Sequence, residues 1–285
     1  MRAYRIRLEF AWGHQSRIIG LSKTNPSYYY PPPTTIIGAV AEPLAKNHRL
    51  GENPATVALL QRALSQNLLA LGVKPVNTLP LKYMDINRII AVGDKKKKKY
   101  PTPEDLAGSF DAPARGKTIM SPLRPGEPPI IDILLVLSKP LISVKGIDIR
   151  ISAESLWEIH RLGSKESIVS VVDVEATNKI SIEQGLAITS YSFPLTSSVS
   201  VVEKLSGRWT YEVYVDPYSL GSSQPLLHHY FSGKNLITYM IPLRTNPSED
   251  PIIKLHVKEP NTIYSVEFCG ATKKIVGVYP ASAHH

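Results

Sequence analysis

The 285-residue chain has little cysteine and no long hydrophobic run. Cys269 is its single cysteine, which excludes an internal disulfide framework and is typical of a protein from a reducing cytoplasm. No segment approaches the roughly 18 consecutive apolar residues that a transmembrane helix requires. The N-terminal segment MRAYRIRLEF alternates charged and apolar residues, which is unlike a signal peptide. We therefore expect a cytoplasmic protein without a membrane partner.

Recognisable metal and phosphate motifs are also missing from the sequence. It contains no HExxH, no CxxC pair and no glycine-rich P-loop. His228 and His229 are adjacent, so on a strand they would face opposite sides. His256 and Cys269 are too far apart in the sequence to argue for a shared site. We expect no metal ion and no cofactor.

Acidic residues are scarce in the first half of the chain. Residues 1–128 contain 19 Lys/Arg and 9 Asp/Glu, a balance of +10, whereas residues 129–285 contain 14 and 15, a balance of −1. Together they give the formal net charge of +9. This asymmetry indicates a polyanionic partner that docks on the first half. Excess lysine that only aids solubility is the alternative.

The segment over residues 12–33 combines cations, aromatic rings and prolines. Three consecutive tyrosines precede three consecutive prolines. Cations contact phosphates and tyrosine rings stack on bases, a combination typical of proteins that bind single-stranded nucleic acid. The candidate RNA contacts here are His14, Arg17, Lys23, Tyr28, Tyr29, Tyr30 and, at the start of the following helix, Thr34. Because side chains alternate along an extended chain, we expect at least one tyrosine to be exposed, and the others are candidates for the core.

Further candidate RNA contacts come later in the sequence. A run of five lysines is followed by three separate cations. The run consists of Lys95, Lys96, Lys97, Lys98 and Lys99, and the separate cations are Arg115, Lys117 and Arg124. Lys165 lies in the segment RLGSKES, where Gly163 is suited to a helix C-cap. The alternatives are that the lysine run is only solvated and that Lys165 only compensates the carboxyl end of a helix.

Hydrophobic periodicity predicts the order of the elements. Up to residue 174 the predicted elements are a strand over 3–11, a helix capped by Thr34 or Thr35, a helix from Pro54 to Gly72, an extended segment over 75–90, a strand over 130–137, a helix from Ser152 to Leu162 and a strand over 168–174. Residues 91–128 are rich in proline and lysine and are predicted to form a flexible or protruding excursion.

Apart from the extra helix, this is the βαββαβ order of a ferredoxin-like, RRM-type domain, with the excursion between its second and third strands. From about residue 178, short alternating runs separated by turn residues predict an antiparallel β-rich part without helices. We therefore predict an α+β protein with an RRM-like domain over 1–177 and a β-rich domain over 178–285. Its last two residues, His284 and His285, look like the remnant of a tag.

Two motifs carry a resemblance to a known family. They are GLSKTNPSYYYPPPTTIIGAV over residues 20–40 and RLGSKESIVSV over residues 161–171. In sequence and in order they resemble the CRISPR-associated Cas five family of the RAMP superfamily. They are most similar to its archaeal, type I-A branch. The resemblance covers residues 1 to about 176, and the β-rich remainder is similar only in general character.

The resemblance implies both a fold and a role. The implied fold is an RRM-like domain with a protruding β-hairpin thumb, here within about 82–128, and a smaller C-terminal β domain. The implied role is that of an antiviral Cascade subunit that caps one end of the complex and grips the 5′ repeat-derived handle of the guide RNA (crRNA). The implied protein partners are the backbone (Cas seven) subunit and the large subunit, and the small subunit is a further candidate.

Catalysis is the main rival interpretation. In the type I-C branch of the family the protein itself cuts repeat RNA with a Tyr, His and Lys set, for which His14, Lys23 and Tyr28 offer the residue types. Nothing in the sequence places them in register with that branch. The glycine-rich loop of many RAMP nucleases is not evident, since only Gly270 and Gly277 lie near the C-terminus.

In the type I-A arrangement a separate Cas six nuclease cuts the RNA. We therefore expect a non-catalytic RNA-binding subunit. The alternatives are a metal-independent endoribonuclease and a generic RRM-like protein outside CRISPR.

Overall fold

The chain folds mostly into antiparallel β-sheets with few helices in this computed structural model. The structure describes residues 1–16, 18, 26–50, 54–86, 89–90, 93–95, 98–100, 110–111, 114–220, 229, 232–244 and 246–279. Within these residues the helices are α1 (Pro33–Asn47), α2 (Pro54–Asn67) and α3 (Ala153–Trp157).

The strands fall into two groups along the chain. Those of the first half are β1 (Arg2–Phe10), β2 (Gly13–His14), β3 (Leu68–Pro75), β4 (Leu79–Ile86), β5 (Ile89–Ile90), β6 (Gly93–Lys95), β7 (Lys98–Tyr100), β8 (Phe110–Asp111), β9 (Ala114–Ser121), β10 (Ile130–Leu137), β11 (Leu141–Val144) and β12 (Ile147–Arg150). Those of the second half are β13 (Val169–Thr177), β14 (Ile180–Glu183), β15 (Gly185–Thr189), β16 (Phe193–Pro194), β17 (Val199–Ser206), β18 (Arg208–Val215), β19 (Leu236–Leu243), β20 (Ile252–Val257), β21 (Asn261–Phe268) and β22 (Ala271–Val278).

A four-stranded antiparallel sheet organises the first half of the chain, in the order β13–β1–β10–β3. Because side chains alternate along β1, Tyr4, Ile6 and Leu8 point to one face. There they are buried in one cluster with Ile36 and Val40 of α1. The predicted first strand and the apolar face of the first helix are thereby confirmed.

The other face of this sheet is partly covered by the hairpin β21–β22. Ala3 and Val136 on the sheet are buried in a cluster with Tyr264 of β21. Gly277 in β22 permits the close approach, because a Cβ atom at this position would overlap the backbone carbonyl of Leu69. The C-terminal strands therefore close part of the sheet surface.

A long hairpin leaves the sheet between β3 and β10. Its stem consists of β4 and β9, which pair antiparallel from Leu79 opposite Ser121 to Ile86 opposite Ala114. Further out, β5 pairs with β8 and β6 pairs with β7. β2 pairs with β9 and so attaches the stem to the segment that follows β1.

The C-terminal part consists of three small antiparallel sheets, in the orders β14–β21–β22, β15–β20–β17 and β16–β19–β18. Phe193, Trp209, Ile253 and Leu255 are buried together in the core of this part. The predicted β-rich character of the chain beyond residue 178 is confirmed.

The helix predicted to run until Gly72 is wrong in its second half. α2 ends at Asn67, and β3 follows immediately and pairs with β10. Both faces of β3 are buried, with Leu71 in the cluster beneath the helices and Ala70 in the cluster beneath β21–β22. A strand that is buried on both faces is apolar at nearly every position, and periodicity does not distinguish it from a buried helix.

The helix predicted from Ser152 to Leu162 is shorter than expected. Ser152 caps it, its Oγ accepting from the Ser155 N–H at 3.3 Å, but α3 ends at Trp157. Gly163 therefore lies in a later turn and is not the C-cap. The polar segment after Trp157 forms backbone hydrogen bonds of its own, and these replace a further helical turn.

The start of α1 also differs from the prediction. The N-cap is Pro32, no side chain caps the helix, and Pro33 occupies its first turn. The predicted cap at Thr34 or Thr35 is therefore wrong. Proline fixes φ near the helical value and has no N–H to leave unpaired, so the helix starts without a side-chain cap.

The excursion predicted over residues 91–128 contains an ordered strand. β9 occupies its second part, and Thr118 and Met120 are buried there. The strand is ordered because it pairs with both β2 and β4. Thr118 and Met120 share its buried face, and a count of bulky apolar residues does not reveal this alternation.

None of the helices in the described part of the chain is long and apolar enough to cross a membrane. Among the same residues, no group of three or more His, Cys, Asp or Glu side chains is placed to hold a metal ion. Cys269 is a free thiol on the surface.

Candidate nucleic-acid interface

The segment that follows β1 meets the second sequence motif at one end of the four-stranded sheet. Because β1 and β13 are neighbours in that sheet, the segment that leaves β1 lies beside the turn that enters β13. The Gln15 backbone N–H donates to Ser167 Oγ at 3.0 Å, and hydrogen bonds from the preceding residues extend this contact. The contact between residues 12–16 and 161–168 is called the motif junction below.

Gly163 permits the close packing at the motif junction. Its φ is +105°, a backbone conformation that residues with a Cβ rarely adopt. A Cβ atom here would lie 3.3 Å from both Gln15 O and Ser16 Oγ, and 3.5 Å from Thr35 Cγ2. Glycine at this position therefore permits both the backbone conformation of the turn and its close contact with the loop and α1.

The three consecutive tyrosines divide between the core and the surface. Tyr28 and Tyr30 are buried, whereas Tyr29 is half-buried. The Tyr28 hydroxyl donates to the Val213 carbonyl at 3.1 Å, and the Tyr30 hydroxyl donates to the Pro242 carbonyl at 2.9 Å. Burial raises the pKa of Tyr30 well above its usual range. The two buried rings anchor the loop to β18 and β19, and Tyr29 is the one whose ring is partly open to a ligand.

A buried carboxylate joins the tyrosine loop, the hairpin stem and β18. Glu212 accepts the Tyr29 backbone N–H at 3.0 and 3.1 Å, Lys82 Nζ at 2.7 Å and the Tyr214 hydroxyl at 2.7 Å. Lys82 Nζ also lies 3.7 Å from the centroid of the Tyr29 ring, a cation–π distance. These four residues are called the Glu212 cluster. They fix the stem relative to the loop and the C-terminal sheets.

His14 belongs to this anchored loop and is fully buried. Its Nε2 lies 3.3 Å from the Tyr29 carbonyl and its Nδ1 lies 3.4 Å from Ser16 Oγ. Burial, reinforced by the nearby charge of Lys82 and opposed by the hydrogen bond to Tyr29, lowers the pKa of His14 to about 4. The imidazole is therefore neutral at pH 7, and its contacts with Ser16 and Tyr29 hold the two ends of the loop together.

The remaining predicted contacts include three whose exposure the structure describes. Lys165 is exposed in the turn, Thr34 is half-buried at the start of α1 and Lys117 is half-buried on β9. Outside the described residues lie Arg17, Lys23, Lys96 and Lys97. Only strand pairing is described for Lys95, Lys98, Lys99 and Arg115.

His14, Tyr28 and Tyr30 are buried, whereas Lys165, another predicted RNA contact, is exposed. These three side chains face the protein interior, so they offer no surface to RNA in this structure. Their positions agree with the interpretation that some of the tyrosines belong to the core. A direct contact with RNA would require the loop to leave β18 and β19.

Sequence reasoning missed the Glu212 cluster. Glu212 occupies an inward position in the alternating segment Tyr211–Val215, where an apolar residue is expected. An acid at such a position is a signal for a buried partner, because an unpaired buried carboxylate is costly. No local pattern indicates that the partner is Lys82.

The hairpin stem also has an exposed apolar face. Leu81 and Ile119 are paired across the stem, and both are exposed together with Tyr83. The opposite face of the stem carries Lys82 and Thr118, which point to the loop. Exposed apolar and aromatic side chains beside a basic hairpin suit contact with bases or with another protein.

The free part of the four-stranded sheet does not offer a similar surface. Its charged side chains pair with one another. Arg7 donates to both carboxylate oxygens of Asp132 at 2.8 and 3.0 Å, and Arg5 contacts Asp173 at 2.5 Å and Glu175 at 2.9 Å. A nucleic acid would have to displace these ion pairs. The candidate interface is therefore formed by the loop, the turn and the hairpin.

The chain matches a known protein family along most of its length. The profile of the family described as CRISPR-associated protein (Cas_Cas5), the Cas5d profile, matches residues 3–250. The chain belongs to the CRISPR-associated Cas5 family.

A solved structure supports the same assignment. The chain is similar to a CRISPR protein from Archaeoglobus fulgidus, with 38% identity over 98% of this chain and 100% of that chain and a TM-score of 0.70. No curated protein matches the chain significantly.

The family match includes the whole candidate interface. Both sides of the motif junction and all four residues of the Glu212 cluster lie within residues 3–250. β20, β21 and β22 follow the matched range. Cas5 proteins act within CRISPR effector complexes.

Proposed function

We propose that this Cas5 protein is a non-catalytic RNA-binding subunit of a CRISPR effector complex and holds the 5′ repeat-derived handle of the guide RNA. One observation carries the proposal. Residues 13–16 contact both the turn that presents Lys165 and the hairpin stem that leads to the lysine run. The loop thereby joins two segments that carry cations, the turn with Lys165 and the stem with Lys117. Such an arrangement suits backbone contact with a single-stranded RNA.

The topology supports a ferredoxin-like domain with a thumb. The sheet order β13–β1–β10–β3 has α1 and α2 between its first two strands in sequence and α3 between its last two. This corresponds to a βαββαβ unit with one extra helix. In this proposal the β4–β9 hairpin is the thumb, and the strands after residue 177 form the second domain.

The sequence motifs favour an archaeal type I-A Cascade as the effector complex to which this protein belongs. In that setting the protein caps the 5′ end of the guide RNA and contacts the backbone (Cas seven) subunit and the large subunit. The exposed apolar face formed by Leu81, Tyr83 and Ile119 supports such contacts, because it is uncovered in the isolated chain.

A non-catalytic role is supported by the surroundings of His14. A general base needs access to the substrate and a pKa near the working pH. His14 is fully buried and its pKa is lowered to about 4 by burial. The Tyr28 hydroxyl is occupied by the Val213 carbonyl. The rival endoribonuclease activity requires both side chains to be released from these contacts.

The test is an incubation of the purified protein with labelled repeat RNA in EDTA, together with titrations of RNA that carries or lacks the 5′ handle. We expect tighter binding of the handle RNA and no cleavage. Site-specific cleavage that is lost in His14→Gln, with the melting temperature of the variant unchanged, overturns the non-catalytic role. Equal and weak binding of both RNAs overturns the role in handle recognition.

Co-purification distinguishes the third interpretation. When the protein is captured from its host, we expect a backbone subunit and guide RNA to accompany it. Capture of neither, from cells in which the effector complex is expressed, would indicate an RRM-like protein that acts outside the complex.

A further inference from the structure

A groove of about 770 Å³ lies between α1, α2 and the turn that follows α3. It begins at Thr34, next to Gly163 of the motif junction, and extends along α1 to Arg49. A helix of 15 residues such as α1 is about 22 Å long. The groove is therefore long enough to hold an extended strand, and it continues the candidate interface away from the hairpin.

Among the residues that the structure describes, the charged side chains that line the groove are three cations and one carboxylate, Lys46, Arg49, Arg161 and Glu42. Arg161 holds Glu42 in a two-pronged ion pair, with Nε–Oε2 at 3.0 Å and Nη2–Oε1 at 2.7 Å. The one acid is thus neutralised by its neighbour, while Lys46 and Arg49 are exposed. The net charge of +2 (3 − 1) favours an anionic occupant.

Small and hydrogen-bonding side chains lie between these charges. Gly38 and Ala45 form part of the floor and let a polymer backbone approach closely. Thr34 and Gln61 supply a hydroxyl and an amide that can donate to phosphate oxygens or pair with a 2′-hydroxyl. The largest apolar side chain in the lining is Val57. The groove therefore suits a sugar–phosphate backbone better than stacked bases or an apolar helix.

We propose that this groove holds the backbone of the guide RNA as the strand leaves the motif junction. The proposal rests on the proposed function and deepens it, because it names Lys46 and Arg49 as phosphate contacts and Gln61 as a hydrogen-bonding contact. An acidic peptide would satisfy the same charges. RNA is favoured because the groove shares its end at Gly163 with the turn that presents Lys165.

The first test removes the two exposed cations. Lys46→Gln/Arg49→Gln is compared with the matched pair Arg208→Gln/Lys258→Gln, whose cations are exposed in the C-terminal part. Each phosphate contact on a single strand contributes about 0.7 to the slope of log K against log salt. We expect the groove variant to lower that slope by about 1.4 and to weaken guide-RNA binding about tenfold at 0.15 M salt. The control pair should change neither quantity.

The second test fills the groove without changing its charge. A Cβ at Gly38 would meet only Gln61 Nε2, at 3.6 Å, so a methyl group fits there without a clash and a longer side chain starts from open space. Gly38→Leu should weaken RNA binding without lowering the melting temperature, and Gly38→Ala should leave binding nearly unchanged. The smaller variant controls for the change in helix propensity.

The outcomes separate this proposal from the proposed function. If the wild-type protein does not bind guide RNA, the proposed function fails and the groove proposal fails with it. If the wild type binds, and both the groove variant and Gly38→Leu bind with wild-type affinity and salt slope, the groove proposal alone is wrong. Binding of an acidic peptide that is lost in the groove variant, with RNA binding unchanged, would also overturn it.

Discussion

Lys82 Nζ lies 2.7 Å from Glu212 Oε1 and joins the hairpin stem to a strand 130 residues later in the chain. The Glu212 side chain is 4% exposed and that of Lys82 is 29% exposed, so solvent screens this pair less than it screens a surface ion pair. The same carboxylate accepts the backbone N–H of Tyr29. The direction in which the basic hairpin projects is thus set by a residue of the C-terminal part.

Removal of the Glu212 carboxylate should destabilise the fold. Glu212→Ala leaves the three donors of the Glu212 cluster without their acceptor, and we expect the free energy of unfolding to fall by about 2–4 kcal/mol. Urea unfolding measures this change. Glu203→Ala, at an exposed position of β17, is the matched control and should cost less than about 0.5 kcal/mol. Equally small effects in both variants would show that the cluster adds little stability.

The buried and the half-buried tyrosine should respond in different assays. Tyr30→Ala removes a buried ring, and we expect the free energy of unfolding to fall by about 3–5 kcal/mol. Tyr29→Ala should cost less stability but weaken RNA binding by about 1–3 kcal/mol where the ring stacks on a base. Thermal unfolding and RNA titration are measured on both variants. An unchanged melting temperature for Tyr30→Ala would contradict its anchoring role, and wild-type affinity for Tyr29→Ala would show that no base stacks there.

Gly163→Ala should disturb the motif junction. A residue with a Cβ is strained at its φ of +105°, and the added methyl group presses on Gln15 and Ser16. Gly146→Ala is the matched control, since Gly146 has φ +78° but open space around its Cβ position. We expect both variants to lose about 1 kcal/mol of stability from strain, and Gly163→Ala to lose more. Only Gly163→Ala should weaken RNA binding, and equal affinities would mean that the turn does not position Lys165.

Stability should rise with pH between about 4 and 6.5 because of His14. Burial lowers the pKa of the folded protein's imidazole to about 4, whereas that of an unfolded chain is about 6.5. In this window the unfolded state binds a proton that the folded state does not bind. The contribution is complete above pH 6.5 and is lost as the pH falls toward 4, by up to about 3 kcal/mol.

Urea unfolding at several pH values tests this contribution in the wild type and in His14→Gln. We expect the variant to lose less stability on acidification than the wild type. The same pH dependence in both proteins would assign the acid sensitivity to carboxylates and not to His14.

The lysine run over residues 95–99 should contribute to the salt dependence of RNA binding. Replacement of all five lysines by alanine is expected to lower the slope of log K against log salt by up to about 3.5, if every lysine contacts a phosphate. Salt titrations of guide-RNA binding provide the slope. Replacement of Lys139, Lys234 and Lys258, which are exposed elsewhere, is the control. An unchanged slope after the five replacements would mean that the run is only solvated.

Local patterns predicted many of the elements but fewer of their ends. The alternation in β1 and the apolar run in β10 are sufficient to predict two central strands, because burial of one or both faces determines which positions of a strand are apolar. The pattern of β3 predicts the end of a helix instead of a strand, since a strand buried on both faces has leucines at helical spacing as well. The end of α3 at Trp157 is not predicted by the sequence. The capping residue Ser152 marks where the helix starts, but no comparable signal marks its end.

The sequence by itself determined the positive charge of the first half, the two motifs and the family that they indicate. It also limited how many of the three tyrosines could enter the core, because neighbouring side chains in an extended segment alternate. Only the tertiary structure decided that Tyr28 and Tyr30 are the buried ones and that Lys82 meets Glu212. Tyr28 reaches an acceptor 185 residues away, and Lys82 reaches one 130 residues away. A local pattern specifies which face of an element is apolar, but the partner that covers this face follows from the packing of the whole chain.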